Sequence, residues 1–109
     1  MDIKVTRNND FLILMLNGEI NADNVAQLRD VFMPIVSEKI NKVILDFETV
    51  SFMDSSGLAS LIELVQKLRK VNGKLSLCNV NKDIRGVLEI TKVHKIVAIH
   101  DSMDQALKG

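Results

Sequence analysis

The sequence predicts a single α/β domain over residues 1–109: a small mixed sheet, antiparallel in an N-terminal hairpin and parallel beyond it, flanked by amphipathic helices in the order β-β-α-β-α-β-α-β-α. Three observations predict it. The first is the stretch Val43 to Leu68. There an aliphatic run, Val43-Ile44-Leu45-Asp46-Phe47, has the character of a buried strand, and Leu58, Leu61, Ile62, Val65 and Leu68 then recur at the spacing of one helix face. The second is that strand-like and helix-like segments alternate downstream, which implies parallel strands joined by right-handed crossovers. The third is size and composition. A chain of 109 residues, 47% hydrophobic and 26% charged, suits one compact core and not a disordered polymer.

Each element has a local reason. Asp2 to Thr6 alternates polar and apolar residues, with Ile3 and Val5 on one side, as a half-buried strand does. Arg7-Asn8-Asn9-Asp10 reads as a hairpin turn, and Phe11 to Leu16 as a second strand, apolar on both faces and so deeper in the sheet. Asn17 to Asn21 then leaves the strand, with Gly18 permitting a bend or a positive φ. Asn21 or Asp23 is a suitable N-cap for a helix whose apolar stripe is Val25, Leu28, Val31, Phe32, Ile35 and Val36. Pro34 removes one helical N–H bond, and a kink is expected there because the stripe runs on to Ile40.

After the central strand and helix, Asn72-Gly73 supplies a helix stop. Lys74 to Val80 reads as a strand, and Lys82 to Thr91 as a short helix with Ile84, Val87, Leu88 and Ile90 inward. Ile96 to Ile99 is a last strand and Ser102 to Leu107 a last helix, packed through Met103, Ala106 and Leu107. The stripes suit helices that cover a sheet, on one face or on both.

Several function classes are excluded. The 14 basic side chains balance 14 acidic ones, and Trp and Tyr are absent, which argues against direct nucleic-acid binding. The longest apolar run, Phe11 to Leu16, is far short of the ~20 residues a membrane span needs, and Met1-Asp2-Ile3-Lys4 leads straight into patterned sequence. A cytoplasmic location is expected. Cys78 has no Cys-x-x-Cys partner and reads as a small buried hydrophobe. His94 and His100 lack ligands at metal spacing, Gly-x-Ser-x-Gly and Gly-x-x-x-x-Gly-Lys are missing, and no Asp/Glu–His relay accompanies a serine. Neither catalysis nor a cofactor is expected.

The chemistry instead gathers at the turn Ser51–Gly57, at the C-terminal end of a parallel strand, where α/β folds place their sites. Here Asp54-Ser55-Ser56-Gly57 leads into the helix, so a hydroxyl sits beside free backbone N–H groups and the positive helix end. The bland reading is an N-cap, supplied by Asp54 or Ser56. Gly57 is either tolerated in the first turn or lets a partner approach the backbone. Phe52 is expected in the core, and Met53 partly exposed beside the hydroxyl as an adaptable contact.

Strand, Phe52-Met53-Asp54-Ser55-Ser56-Gly57-Leu58 and helix resemble the anti-sigma factor antagonists, bacterial members of the STAS domain family. Gly18-Glu19-Ile20-Asn21, Asn72-Gly73-Lys74-Leu75 and the whole element order fit the same pattern. The resemblance implies a partner switch. The unphosphorylated antagonist binds a serine-kinase anti-sigma factor and releases the sigma factor; phosphorylation of the Ser after the Asp, Ser55 here, breaks the complex. A serine/threonine phosphatase resets it. Gly18, Asn21, Asp23, Asn24, Met53, Asp54, Ser56, Gly57 and Leu58 would form one docking surface on a monomer or weak dimer. The family often has Asp where Asn21 stands, so that contact is expected to be weaker here. A phosphate on Ser55 would be tolerated at the helix end and would repel a partner built for a neutral hydroxyl. The rival is a non-switching STAS subunit, for example of a membrane transport complex.

Overall fold

In the computed structural model, which describes residues 1–109, five strands form one sheet in the order β1-β2-β3-β4-β5. They are β1 (Asp2–Asn8), β2 (Phe11–Ile20), β3 (Lys42–Met53), β4 (Lys74–Cys78) and β5 (Ala98–His100). Only β1 runs antiparallel to its neighbour. Its hairpin is tighter than the sequence suggested. Asn8 pairs with Phe11, and the turn is Asn9-Asp10, with Asn9 at φ 56° in the left-handed region that Asn tolerates. Arg7 and Asn8 therefore belong to the strand.

The helices are α1 (Val25–Ser37), α2 (Ser55–Lys70), α3 (Lys82–Ile90) and α4 (Met103–Lys108), and they cover both faces. Alternation decides which residues face which layer. Leu12, Leu14 and Leu16 of β2, Val43, Leu45 and Phe47 of β3, and Leu75 and Leu77 of β4 join the main core with α1, α2 and α3. The intervening Ile13, Ile44 and Cys78 point the other way and pack on Ala106 of α4, with Met103 and Leu107 alongside.

Two helix ends, those of α1 and α3, depart from the expected shape. In α1, Pro34 stands exposed inside a single helix, but the stripe does not carry that helix to Ile40. The chain turns left-handed at Lys39 (φ 57°), the Lys39 amide donates to Val36 O, and the Ile40 amide donates to Ile35 O. This Schellman closure ends the helix while keeping Ile40 against the core. The same closure ends α2, with Asn72 (φ 58°) in the left-handed seat and the Gly73 amide on Leu68 O. In α3, only Ile84 and Leu88 are buried; Val87 and Ile90 face solvent, contrary to the inward stripe expected of them. A left-handed Lys92 (φ 63°) and a 3₁₀ turn, Val93–Lys95, follow α3, so β5 begins only at Ala98. β4 likewise stops at Cys78, because Asn79 turns left-handed (φ 58°).

The largest revision concerns β2 and β3. The segments read as a bend and a turn, Asn17 to Ile20 and Ser51 to Met53, remain paired strand. β3 pairs with β4 only as far as Asp46↔Cys78, whereas its ladder with β2 continues to Ile20↔Met53. β2 and β3 therefore project beyond β4 as a two-stranded ribbon, and the candidate site stands at its tip. Two bulges give β3 an extra residue each, one between Asp46 and Thr49 and one between Val50 and Phe52. Each bulge flips the inward face, and the two cancel. Phe47, Val50 and Met53 all point into the core at intervals of three.

Candidate functional site

Asn side chains hold the ribbon where β4 no longer can. Asp46, only 8% exposed, accepts hydrogen bonds from the Glu48 amide (3.0 Å) and Asn79 Nδ2 (3.1 Å), which ties the ribbon's base to the end of β4. Asn81 Nδ2 donates to Val50 O (3.2 Å), while its Oδ1 caps α3 through the Ile84 amide (2.9 Å). One side chain thus fixes both the ribbon and the start of α3. Sequence reasoning missed Asp46, Asn79 and Asn81 as positioning residues. A signal was present: an Asp inside Val43-Ile44-Leu45-Asp46-Phe47 needs partners if it is buried.

At the tip, Asp54 is the N-cap of α2. Its Oδ1 accepts from the Ser56 amide (2.9 Å) and the Gly57 amide (3.1 Å), and its Oδ2 accepts from the Ala22 amide (3.1 Å). The Asp54 amide in turn donates to Ile20 O (3.0 Å). Both carboxylate oxygens are engaged, one on each loop, so the β2–α1 connection and the start of α2 are joined through one residue. The cap reading and the site reading are both true of Asp54. One expectation changes: two of the first-turn amides thought available to an anion already serve Asp54.

The β2–α1 loop is built on Asn21 and Asn24. Asn21 Oδ1 accepts from the amides of Asp23 (3.0 Å) and Asn24 (3.2 Å). Asn24 occupies the N-cap position of α1, but its side chain folds back, with Oδ1 on the Asn21 amide (3.0 Å) and Nδ2 on Glu19 O (2.8 Å). The expected capping by Asn21 or Asp23 is therefore replaced by a turn before the helix, and Asp23 is left exposed. Gly18 takes φ 102° opposite Val50, beside the bulges, where a side chain would be strained.

The remaining site residues divide by exposure. Ser55, the first residue of α2, is exposed, and none of the loop's hydrogen bonds uses its hydroxyl. Ser56 and Leu58 are half-buried. Met53 is 5% exposed and Phe52 50%, the reverse of what was expected, because the paired bulges return Met53 to the inward phase of Phe47. Gly57 is buried: a Cβ there would lie 2.5 Å from Met53 Cγ and 2.8 Å from Ile20 Cγ2. The missing Cβ lets α2 sit close on the strand ends.

Elsewhere, burial and the neighbouring Asp46 push the Cys78 thiol up to about 12, so it is a neutral packing group. His94 Nδ1 lies 3.2 Å from Leu88 O, within the turn after α3. No helix is long and apolar enough to cross a membrane.

A mixed five-stranded sheet between helices, with an exposed serine after a capping aspartate at the tip of a projecting ribbon, defines a small α/β module with its polar loops gathered at one end. Residues 2–106 match the STAS domain, and the chain belongs to that family. It is 31% identical over 100 residues to a protein of Thermotoga neapolitana named as a candidate anti-sigma factor antagonist, covering 91% of this chain and 88% of that one. The crystal structure of a candidate anti-sigma factor antagonist from Thermotoga maritima superposes with a TM-score of 0.92 at 26% identity, covering 97% of this chain and 92% of that one. The Bacillus cell-fate determinant SpoIIAA shares the fold in two states. Its unphosphorylated form matches with a TM-score of 0.77 at 23% identity over 95% of this chain and 92% of its own. Its phosphorylated form matches with 0.78 at 22% identity over 98% of this chain and 97% of its own.

Proposed function

We propose that this chain is an anti-sigma factor antagonist whose binding is switched at Ser55. The observation that carries the reading is the exposed Ser55 hydroxyl, without a partner of its own, on a loop that Asp54 holds rigid. In the unphosphorylated state, the tip formed by residues 19–24 and 52–58 docks on a serine-kinase anti-sigma factor, which then lets go of its sigma factor. The kinase transfers the γ-phosphoryl group of ATP to Ser55 Oγ; the hydroxyl proton is lost and ADP leaves. A serine/threonine phosphatase hydrolyses the ester and restores the docking form.

The phosphate acts through the surface. It adds about −1.5 to −2 charges beside Asp54, whose carboxylate already occupies the first-turn amides. A partner that closes over a neutral hydroxyl would have to strip water from a dianion, and the complex fails. No refolding is required. SpoIIAA has this same fold in its unphosphorylated and phosphorylated forms, which is consistent with a switch that needs no refolding.

The test is to incubate the purified chain with the serine-kinase anti-sigma factors of its own organism, with and without ATP. Binding by the unmodified chain, its loss with ATP, and a single phosphate on Ser55 by mass spectrometry are expected. Ser55→Ala should bind and never be modified. Modification elsewhere, or a stable complex with a transport ATPase and no phosphate under any condition, would overturn the reading.

A further inference from the structure

The structure leaves a group of large apolar side chains in water beside the ribbon. Phe52 is 50% exposed, Val87 40% and Ile90 84%. Val87 and Ile90 lie four and seven residues after Asp83, so the three share one stripe of α3. Between that stripe and β3 is an open cleft of about 100 Å³, lined by Ser51, Phe52, Met53, Asp83, Ile84 and Val87. Asn81 pins both walls, since it caps α3 and holds Val50 O. The cleft is a standing feature of the fold and not the gap beside a loose loop.

Its position is informative. Phe52 stands two residues before Asp54, roughly 7 Å of backbone, so the cleft lies within reach of a partner that covers Ser55. Its charge is informative too. Asp83 is the one charged lining residue, and Glu19 adds a second acid beside it, paired with Phe52 across the β2–β3 ladder. Against these acids stands Lys82, because Arg85 is engaged by Asp101 at 3.3 Å. An otherwise neutral chain therefore presents an acidic rim around an apolar cleft.

We propose that this cleft is the affinity half of the docking surface, and that it takes an apolar side chain from a basic amphipathic segment of the anti-sigma factor. The inference rests on the function proposed above and adds the contact that holds the partner. Phe52 and Val87 supply the desolvated anchor that dominates binding at most interfaces, while Ser55 decides whether the partner can close. Affinity and switching are then separable by mutation.

Titration of the anti-sigma factor that binds the wild-type chain tests this. Phe52→Ser should weaken binding about tenfold or more with an unchanged melting temperature, because the side chain is already half in water. Val87→Lys should weaken it more than Val87→Asp, and raising salt should weaken the wild type. Val5→Ser, on the far edge strand and 50% exposed, should bind as the wild type does. Wild-type affinity in Phe52→Ser and Val87→Lys would overturn the cleft. Equal losses in Val87→Lys and Val87→Asp would overturn the basic partner segment. A wild-type chain that binds none of the anti-sigma factors takes the proposed function down, and this inference with it.

Discussion

β3 is one strand with two characters. From Val43 to Phe47 it lies between β2 and β4, every residue is buried, and each faces a packed layer. From Glu48 to Met53 it keeps only β2, carries two bulges, and buries Val50 and Met53 alone. The first half is packed on both faces; the second leaves Phe52 half in water and leads into Asp54 and Ser55. The change falls at Asp46, where the β4 ladder ends and side chains take over the hydrogen bonding. A sheet can thus turn a structural strand into a display strand by withdrawing one neighbour.

Mutations should separate the two halves. The largest contrast is between the phenylalanines five residues apart. Phe47→Ala, at a site with no exposure, should cost about 3–5 kcal/mol in chemical denaturation, whereas Phe52→Ala should stay within about 0.5 kcal/mol. Equal losses would mean that the ribbon packs as the core does. At the junction, Asp46→Ala leaves the Glu48 amide and Asn79 without their acceptor and should cost about 1–3 kcal/mol. It should also loosen the tip, read as faster proteolysis between Glu48 and Asp54 with the core strands still protected. A uniform loss of protection would dissolve the distinction.

The smallest effect is chemical. Cys78 lies opposite Asp46 on the packed side, and its thiol is held near 12 against 9.0 for the free group. A pKa raised in the folded state favours folding fully while the unfolded thiol stays protonated, and that contribution is lost as pH climbs from about 9 toward 12. Native protein at pH 8 should therefore leave a disulfide reagent unreacted until denaturant is added. Prompt reaction without denaturant would place the thiol in a looser environment than the rest of that half.

Much of this was legible in the sequence, and the misses share a cause. The aliphatic run of β3 and the stripe of α2 give the layers directly, since each pattern matches the face it buries, whereas in β1 only Ile3 is partly buried and Val5, expected beside it, is exposed. Gly18 announces its positive φ because no other residue adopts one so freely. Asp54-Ser55 announces an exposed hydroxyl because a capping carboxylate orients the turn that holds it. What escaped was everything decided by a neighbour's end. Phe52 and Met53 exchange places because of bulges that only the β2 register defines. Val87 and Ile90 read as core because apolar spacing cannot reveal that the sheet stops short of them. Lys39 and Lys92 hide two helix ends, since lysine in the left-handed seat carries none of the signal of glycine.

Asp54 has a consequence in time as well as in space. Its two oxygens hold the amides of Ala22, Ser56 and Gly57, which lie on separate loops more than thirty residues apart in sequence. An excursion that frees one of these amides must turn the carboxylate, and so releases the others. In hydrogen exchange the three should share one opening rate. The tip of the molecule then has a single hinge event. Any molecule that approached Ser55 would then meet a surface either wholly set or wholly open.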